Sequence, residues 1–259
     1  EKRLGLQQKS LASFREVLRL QPGNGLAQHY VALLTGTASD RAPDAYVASV
    51  FDGSAEHFDA HLVNDLHYDM PQQLAQLLRQ YAHPPEKAWA VLDIGCGTGL
   101  VGVAIAPFAR YLAGVDLSAK MLEKARERKL YDRLEQSELL GMMEGEADAS
   151  YALITSADVF IYIGMLEGVF AQAQRLLQPG GYFAFSAESL EVLPQNGSGM
   201  PENYRLNPSG RYAHASAYLR RLSADHGFDV MSMVSAPARL EKGEPVLAWL
   251  ALCQRSQLP

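Results

Sequence analysis

Through the middle of the chain, short apolar runs alternate with segments in which the apolar residues are spaced as on one face of a helix. Runs that are apolar at nearly every position predict strands buried on both faces, at residues 88–93, 111–116, 151–158 and 182–186, with a weaker candidate at 133–140. Helical spacing predicts helices at 100–109 and 166–177, and a third that Ser118 caps. Strands that alternate with helices in this way predict an α/β, doubly wound, mostly parallel sheet.

The C-terminal part of the chain follows a different pattern. Residues 216–226 predict a helix that Gly227 ends. Two strands follow, at 228–235 and 245–253, with only nine residues between them. That connection is too short for a helical crossover, so the two strands must be antiparallel. The prediction is therefore a seven-stranded, mostly parallel sheet closed by a C-terminal antiparallel hairpin.

The N-terminal region is predicted to be helical. Apolar spacing gives helices at 11–20 and 26–34, separated by Pro22-Gly23-Asn24. This helix–turn–helix unit resembles part of a tetratricopeptide repeat, and an ordinary helical hairpin is the alternative. A polar linker at 35–45 leads to aromatic-rich helical material at 46–81, in which Phe51-Asp52 recurs as Phe58-Asp59.

Composition and charge exclude several classes of function. The 259 residues carry a net charge of −6, which argues against general nucleic-acid binding because such binding needs surplus Lys and Arg. No run of 18 apolar residues exists, so no membrane span is expected. The two cysteines, Cys96 and Cys253, match no metal spacing and suit a reducing compartment, so a cytoplasmic location is expected. His57 and His61 share a spacing of four without a third ligand, so no metal site is predicted.

A glycine loop follows the first predicted strand. Gly97, Gly99 and Gly102 fit the pattern G-x-G-x-x-G, which is compatible with a dinucleotide as well as with other cofactors. Asp93 ends the strand before this loop, and a carboxylate there suits a cationic sulfonium better than a pyrophosphate. Asp116 ends the next strand, 17 residues after Gly99. A carboxylate at that position would meet ribose hydroxyls in a dinucleotide and in a sulfonium cofactor alike, so it does not separate the two. The antiparallel C-terminal hairpin favours a methyltransferase over a nicotinamide dehydrogenase.

Three segments carry a family resemblance. Residues 91–99, 114–118 and 177–182 resemble, in order, the first motif, the acidic motif of the second strand and the turn before the fifth strand in class I S-adenosylmethionine-dependent methyltransferases. The leader and residues 46–62 resemble more narrowly the bacterial methyltransferases that have N-terminal tetratricopeptide repeats. The resemblance implies S-adenosylmethionine as cofactor, with S-adenosylhomocysteine as product. It implies three parts: a helical tetratricopeptide-like extension at 1–40, a helical cap over the cofactor site at 41–85, and a methyltransferase domain at 86–259.

The resemblance also implies positions for the cofactor. The backbone of Gly95 and Gly97 would face the methionine part, Asp116 the ribose and Leu117 the adenine. Ser137, Glu138 and Leu139 stand where the family binds the adenine amine. Asp158 would line the methyl-transfer site, with a turn cap as the alternative. The full predicted cofactor set is Asp93, Gly95, Cys96, Gly97, Gly99, Asp116, Leu117, Ser137, Glu138, Leu139, Asp158, Tyr46 and Tyr68.

Methyl transfer needs alignment of the acceptor and exclusion of water, so neither a catalytic triad nor a metal is required. The polar insert at 188–215 is the candidate acceptor region. Within it, Arg211 is predicted to bind an acceptor anion, and Tyr212 and His214 to orient or deprotonate the acceptor, with an ordinary solvated loop as the alternative. Phe160 completes the predicted acceptor-binding set.

The acceptor is expected to be a small molecule, and the repeat-like N-terminus offers a surface for a protein partner. Two other functions compete with this prediction. One is an NAD(P)-dependent oxidoreductase that uses the same loop. The other is a binding module with a vestigial cofactor site, which the intact glycine loop and both acids, Asp93 and Asp116, argue against.

Overall fold

The computed structural model describes residues 2–37, 40–191 and 203–257. Its helices are α1 (Lys2–Leu20), α2 (Gly25–Thr35), α3 (Asp44–Ser54), α4 (Phe58–Ala60, continued by a π-helical turn at His61–Asp65), α5 (Met70–Tyr81), α6 (Leu100–Ile105), α7 (Ala119–Glu127), α8 (Leu139–Gly145), α9 (Glu167–Leu176) and α10 (Ser216–Asp225). Its strands are β1 (Trp89–Ile94), β2 (Ala109–Asp116), β3 (Arg133–Gln136), β4 (Tyr151–Ser156), β5 (Leu177–Glu188), β6 (Tyr204–Leu206), β7 (Tyr212–His214), β8 (Phe228–Glu241) and β9 (Glu244–Arg255).

Seven strands form the central sheet, in the order β3-β2-β1-β4-β5-β9-β8. The first five strands are parallel, and β9 and β8 are antiparallel to their neighbours. The predicted fold is therefore confirmed, including its C-terminal hairpin. β6 and β7 pair with each other in a separate two-stranded ribbon.

Several strand boundaries differ from the prediction, most of all the end of β8, which continues to Glu241 instead of stopping at residue 235. The third strand ends at Gln136 instead of continuing to residue 140, because Glu138 accepts a hydrogen bond from the Gly141 amide at 2.9 Å and caps α8. The fifth strand begins at Leu177, before the Pro179-Gly180-Gly181 segment that was expected to be a turn outside it.

Side chains of β1 alternate between the two faces of the sheet. Leu92 and Ile94 pack on the face covered by α8, α9 and α10, and Val91 packs on the face covered by α5 and α6. All three are fully buried. Because successive residues of a strand point to opposite faces, a wholly apolar run is what a doubly covered strand needs. The sheet is thus rigid at the edge where the strands end and the loops begin.

The N-terminal helices form a hairpin. Asn24 caps α2 by accepting a hydrogen bond from the Ala27 amide at 2.9 Å, and Phe14 of α1 stacks on Tyr30 of α2 with ring centroids 5.0 Å apart. α2 packs in turn on α3, where a Cβ on Gly25 would lie 2.9 Å from the Tyr46 amide nitrogen. The resemblance to tetratricopeptide repeats and the three-part division of the chain remain predictions. Among the described helices, none has the length and hydropathy to cross a membrane.

Candidate functional site

A cleft of about 360 Å³ opens at the carboxyl ends of β1, β2 and β4, beneath α3, α4 and the π-helical turn. This size lies within the range of small-molecule sites, and the edge of the sheet is where doubly wound folds bind ligands. Its lining residues come from the glycine loop, the strand ends, the cap and the C-terminal hairpin; among them are Arg41, Val47, Phe51, Phe58, Leu62, Tyr68, Gly95, Cys96, Gly97, Thr98, Asp116, Leu117, Ser137, Glu138, Leu139, Asp158, Val159, Tyr162, Arg211 and Arg239.

The glycine loop lies at the centre of the cleft. Gly95 and Gly97 have φ angles of +68° and +54°, in the left-handed region that favours glycine. A Cβ on Gly95 would lie 2.3 Å from Cγ2 of Val159, so the loop approaches the β4 segment closely there. A Cβ on Gly97 would have no described atom within 4 Å, so Gly97 leaves open space over the loop. A ligand can therefore approach the backbone at Gly97.

Asp116 joins the second strand to this loop. Its Oδ2 accepts a hydrogen bond from the Gly97 amide at 2.9 Å, and its Oδ1 accepts one from the Ser118 amide at 2.8 Å. Burial raises the pKa of Asp116, and these amides act in the opposite direction. Each carboxylate oxygen retains a further lone pair, so Asp116 can also accept hydrogen bonds from ribose hydroxyls in the cleft.

Asp93 lies beneath the loop instead of facing a ligand. Its carboxylate accepts hydrogen bonds from the Tyr131 hydroxyl at 2.6 Å and the Thr155 hydroxyl at 2.8 Å, and the side chain is buried. Burial raises the pKa of Asp93 to about 7. The expectation that Asp93 contacts the cofactor is therefore corrected to a supporting role under the loop.

Gly99 also supports the loop from outside the cleft. Its φ is +88°, and a Cβ there would press on the Tyr131 ring at 3.0 Å and on Arg128 at 3.2 Å. Of the predicted glycines, Gly95 and Gly97 line the cleft, together with Cys96. Burial raises the pKa of the Cys96 thiol, so this cysteine stays protonated and acts as an apolar wall.

The residues predicted for the adenine end lie together along one part of the cleft. Leu117, Ser137 and Leu139 line the cleft beside Glu138. The Glu138 carboxylate is already bound to Arg41 at 2.8 Å and to the Gly141 amide. Glu138 therefore caps α8 and holds the cap segment, and each of its oxygens retains a further lone pair that can accept an adenine amine.

The cap is fastened to both cofactor loops through the repeated Phe-Asp pair. Asp52 accepts a hydrogen bond from the Ser118 hydroxyl at 2.5 Å, and Asp59 accepts one from the Thr98 hydroxyl at 2.5 Å. Asp59 also pairs with Arg128. The neighbouring rings, Phe51 and Phe58, line the cleft and contact each other edge to face at 5.8 Å. The repetition therefore places two aromatic walls and two fastening carboxylates over the cleft.

The far end of the cleft contains a charged cluster that the sequence reading missed. Arg239 of β8 is 3% exposed, and its guanidinium contacts Asp158 at 3.1 Å, Glu241 at 2.9 Å and Glu188. Arg211 pairs with the same Glu241. Asp158, Arg211 and Arg239 all line the cleft, and the φ of Asp158 is +59°.

Burial raises the pKa of Glu188, and the adjacent Arg239 guanidinium lowers it. The predicted strand ends at residue 235, so Arg239 falls in the connection between the last two strands, where no local pattern marks it as buried. A buried cation must be paired, so acids have to lie nearby, but the sequence does not show which ones.

Three residues predicted for catalysis or acceptor binding lie away from the cleft, and the structure gives each of them a packing role. Tyr212 and His214 are fully buried on β7, and Phe160 is fully buried against Phe183 and Phe185. His214 Nε2 donates to the Ile163 carbonyl at 3.0 Å and the Gly164 carbonyl at 3.1 Å, and burial lowers its pKa to about 4. These contacts leave the His214 ring neutral and remote from an acceptor.

Of the two tyrosines predicted to contact the cofactor, one lines the cleft and the other does not. Tyr68 lines the cleft and is 7% exposed, and burial raises its pKa well above the usual value. Tyr46 instead stacks on His29, with ring centroids 4.5 Å apart, behind the cleft wall. The expectation that Tyr46 contacts the cofactor is therefore corrected. Across the part of the chain that the structure describes, no three His, Cys, Asp or Glu residues are grouped to hold a metal ion.

Comparison with known proteins identifies the domain around this cleft. Residues 92–185 match a family described as a methyltransferase domain. A malonyl-acyl-carrier-protein O-methyltransferase of Enterobacter lignolyticus is 28% identical over 149 residues, which are 58% of this chain and 56% of that protein. A ubiquinone biosynthesis O-methyltransferase of Dechloromonas aromatica is 29% identical over 138 residues, or 51% of this chain and 54% of that protein. The chain thus spans little more than half the length of these curated relatives.

Solved structures share the fold. The Burkholderia thailandensis 1,6-didemethyltoxoflavin-N1-methyltransferase, crystallised with its substrate and S-adenosylhomocysteine, has a TM-score of 0.59 and 17% identity, and the likeness covers 85% of this chain and 92% of that one. A cyclase also matches, with a TM-score of 0.55 and 13% identity over 71% of this chain and 80% of that one. The fold by itself therefore does not fix the reaction. The family match adds that residues 92–185 are similar to a methyltransferase domain, in agreement with the predicted enzyme class and its S-adenosylmethionine cofactor.

Proposed function

We propose that this methyltransferase domain transfers a methyl group from S-adenosylmethionine to a small-molecule acceptor. The observation that carries the proposal is the placement of Asp116, which binds the Gly97 amide and faces the cleft beside the open space over the loop. That arrangement offers an acceptor for ribose hydroxyls next to a backbone that a ligand can approach.

The residues of the cleft fit the proposed cofactor along its length. Leu117 and Leu139 offer apolar surfaces for the adenine, and Ser137 lines the same part of the cleft. Asp116 accepts hydrogen bonds from the ribose, and Gly97 leaves the methionine part room against the loop.

Asp158 faces the same space from the end of β4. Two of the carboxylates that line the cleft, Asp116 and Asp158, suit a cationic sulfonium, because opposite charges attract strongly where water is excluded.

The bound cofactor supplies a methyl group that is already activated by the sulfonium. The remaining task of this chain is to align an acceptor with that methyl and to exclude water, and such positioning can contribute roughly 7–11 kcal/mol. Phe51, Phe58 and Tyr162 cover the cleft from the cap side and exclude water.

The acceptor lies, in this proposal, at the end of the cleft that Tyr68, Asp158, Arg211 and Arg239 line. Arg211 retains its predicted role as an acceptor-binding residue, because its guanidinium reaches the cleft. Tyr212, His214 and Phe160 are not part of the proposed site. A small molecule is favoured because the cap covers the cleft, and the solved toxoflavin methyltransferase holds a small molecule, 1,6-didemethyltoxoflavin, as its bound ligand.

A labelling experiment tests the proposal. Purified protein is incubated with S-adenosylmethionine that carries an isotope-labelled methyl group and with a bacterial metabolite extract that has passed a filter of about 1 kDa. Labelled products are identified by mass spectrometry. The proposal predicts a labelled small molecule that the Asp116→Ala variant fails to produce. Label found only on protein added to the assay, or the same label with the variant, would contradict it.

A further inference from the structure

We infer that His29, in the N-terminal helical hairpin, is a positioning residue that holds the turn carrying Arg211 at the acceptor end of the cleft. That Arg211 binds the acceptor rests on the proposed function. That His29 holds the turn rests only on the contacts between His29 and that turn. This role of His29 gives the N-terminal hairpin a part in building the cleft, independent of any partner that the hairpin binds.

The central contact joins two distant parts of the chain. His29 lies on α2, is 1% exposed, and its Nε2 lies 2.8 Å from the carbonyl oxygen of Gly210. A carbonyl can only accept a hydrogen bond, so Nε2 carries the proton and donates it. Burial lowers the pKa of His29, so the ring is neutral with its proton fixed on this nitrogen. His29 Nδ1 has no hydrogen-bond partner among the described residues, so the Gly210 carbonyl is the one polar contact that the ring makes there.

The turn at Gly210 is shaped to meet that ring. The Asn207 amide donates to the Arg211 carbonyl at 2.8 Å, and the Gly210 amide donates to the Asn207 carbonyl at 2.8 Å, which closes the turn between β6 and β7. Gly210 has a φ of +83°, and a Cβ there would lie 3.4 Å from His29 Nε2. A side chain at position 210 would thus have a strained backbone, and its Cβ would lie in van der Waals contact with the histidine. The residue that follows, Arg211, leaves the turn and lines the cleft.

An aromatic column supports the same connection. The His29 ring stacks on Tyr46 of α3 at 4.5 Å, with an angle of 19° between the ring planes. Tyr46 contacts Tyr162 edge to face at 6.5 Å, and Tyr162 lines the cleft beside Arg211. His29 therefore has two contacts: its ring stacks on the cap, and its N–H donates a hydrogen bond to the turn. A substitution can remove the hydrogen bond while it keeps the ring stacking.

Two substitutions separate these two contacts. His29→Phe keeps a flat ring against Tyr46 but has no donor, whereas His29→Gln keeps an N–H donor of comparable reach. Gln28→Ala is the matched control, because Gln28 is exposed on the same helix and its side chain donates to the Pro22 carbonyl at 2.9 Å, within the hairpin.

Hydrogen–deuterium exchange, resolved on peptides that cover residues 203–215, gives the primary measurement. In His29→Phe, the amides of Asn207 and Gly210 should exchange about tenfold faster, as expected when a turn loses one buried hydrogen bond. Gln28→Ala should leave that exchange unchanged, and His29→Gln should fall between the two. Dissociation constants for S-adenosylhomocysteine should agree within about twofold among all three proteins, because the cofactor end of the cleft is built by other residues.

A second measurement connects the turn to the acceptor. The yield of labelled product from the metabolite extract should fall by a similar factor in His29→Phe and Arg211→Ala, while the dependence on S-adenosylmethionine concentration stays unchanged. Unchanged exchange at residues 207–210 in His29→Phe would overturn the inference, as would faster exchange spread over the whole sheet. If wild-type protein bound no S-adenosylhomocysteine, the proposed function would fail, whereas a local exchange change would still support the role of His29.

Discussion

The Asp116 carboxylate accepts a hydrogen bond from the Gly97 amide at 2.9 Å, so the acid that ends β2 and the glycine loop that follows β1 form one unit. Neighbouring parallel strands bring these two segments to the same edge of the sheet. The single contact fixes the loop conformation and orients the carboxylate toward the cleft at the same time.

Substitutions at Asp116 should weaken cofactor binding strongly. Hydrogen bonds to a charged group contribute about 1.5–3 kcal/mol each, so Asp116→Ala should raise the dissociation constant for S-adenosylhomocysteine roughly 100-fold. Asp116→Asn retains one oxygen acceptor and should show about a tenfold increase. Isothermal titration calorimetry gives both values. An unchanged constant in Asp116→Ala would remove this residue from the site.

The cap contacts should control how long the cofactor stays bound. Asp59→Ala removes the acceptor for Thr98 and the partner of Arg128, and should increase the dissociation constant for S-adenosylhomocysteine about 3- to 10-fold, mainly through faster dissociation. Stopped-flow fluorescence measures that rate. Asp65→Ala is the control, because Asp65 lies in the same cap but its side chain is exposed. Equal rates in the two variants would contradict the fastening role of Asp59.

Arg239 should be essential for the stability of the acceptor end. Arg239→Met leaves Asp158 and Glu188 without their shared cation, and removal of one partner of a buried ion pair costs about 3–5 kcal/mol. Urea denaturation should show that loss at pH 8. The loss should be smaller at pH 5, because the raised pKa of Glu188 lets this carboxyl take up a proton once its cation is gone. A loss that is equal at both pH values would argue that the carboxylates are not the cause.

His214 should affect stability and not the chemical step. Its pKa is about 4 in the folded protein, below the ordinary value of 6.5, so the unfolded chain binds a proton between these values that the folded protein does not. The free energy of unfolding should therefore fall as the pH drops from about 6.5 to about 4, by up to roughly 3 kcal/mol from this group. His214→Gln should lack this component, which the difference between the wild-type and variant denaturation curves isolates. An identical pH dependence in both proteins would contradict the buried neutral imidazole.

The central sheet and the cofactor loops could be predicted because they depend on local patterns. The apolar run at 89–94 is buried on both faces only if helices cover both sides of the sheet. The glycines after it have left-handed φ angles, which glycine adopts readily. Asp116 was identifiable for the same reason, since it ends the adjacent strand. These features are encoded within a few residues of where they act.

The acceptor end could not be predicted because it depends on long-range register. Arg239 meets Glu188 only through the pairing of β8 with β9 and of β9 with β5, which no local pattern specifies. Tyr212 and His214 were predicted to orient or deprotonate the acceptor because they lie in a polar insert. They instead form a short strand whose side chains pack inward, and Arg211 beside them is the residue that reaches the cleft.

The most direct test of the account is a calorimetric titration of the wild-type chain with S-adenosylhomocysteine and, separately, with NADH. Both ligands carry a ribose whose hydroxyls could donate hydrogen bonds to Asp116. The comparison therefore tests which cofactor the whole cleft binds, and not only whether Asp116 binds a ribose. The account predicts saturable binding of S-adenosylhomocysteine, with a dissociation constant on the order of micromolar, and no heat of binding with NADH. Tight binding of NADH without a signal from S-adenosylhomocysteine would contradict it and favour the oxidoreductase.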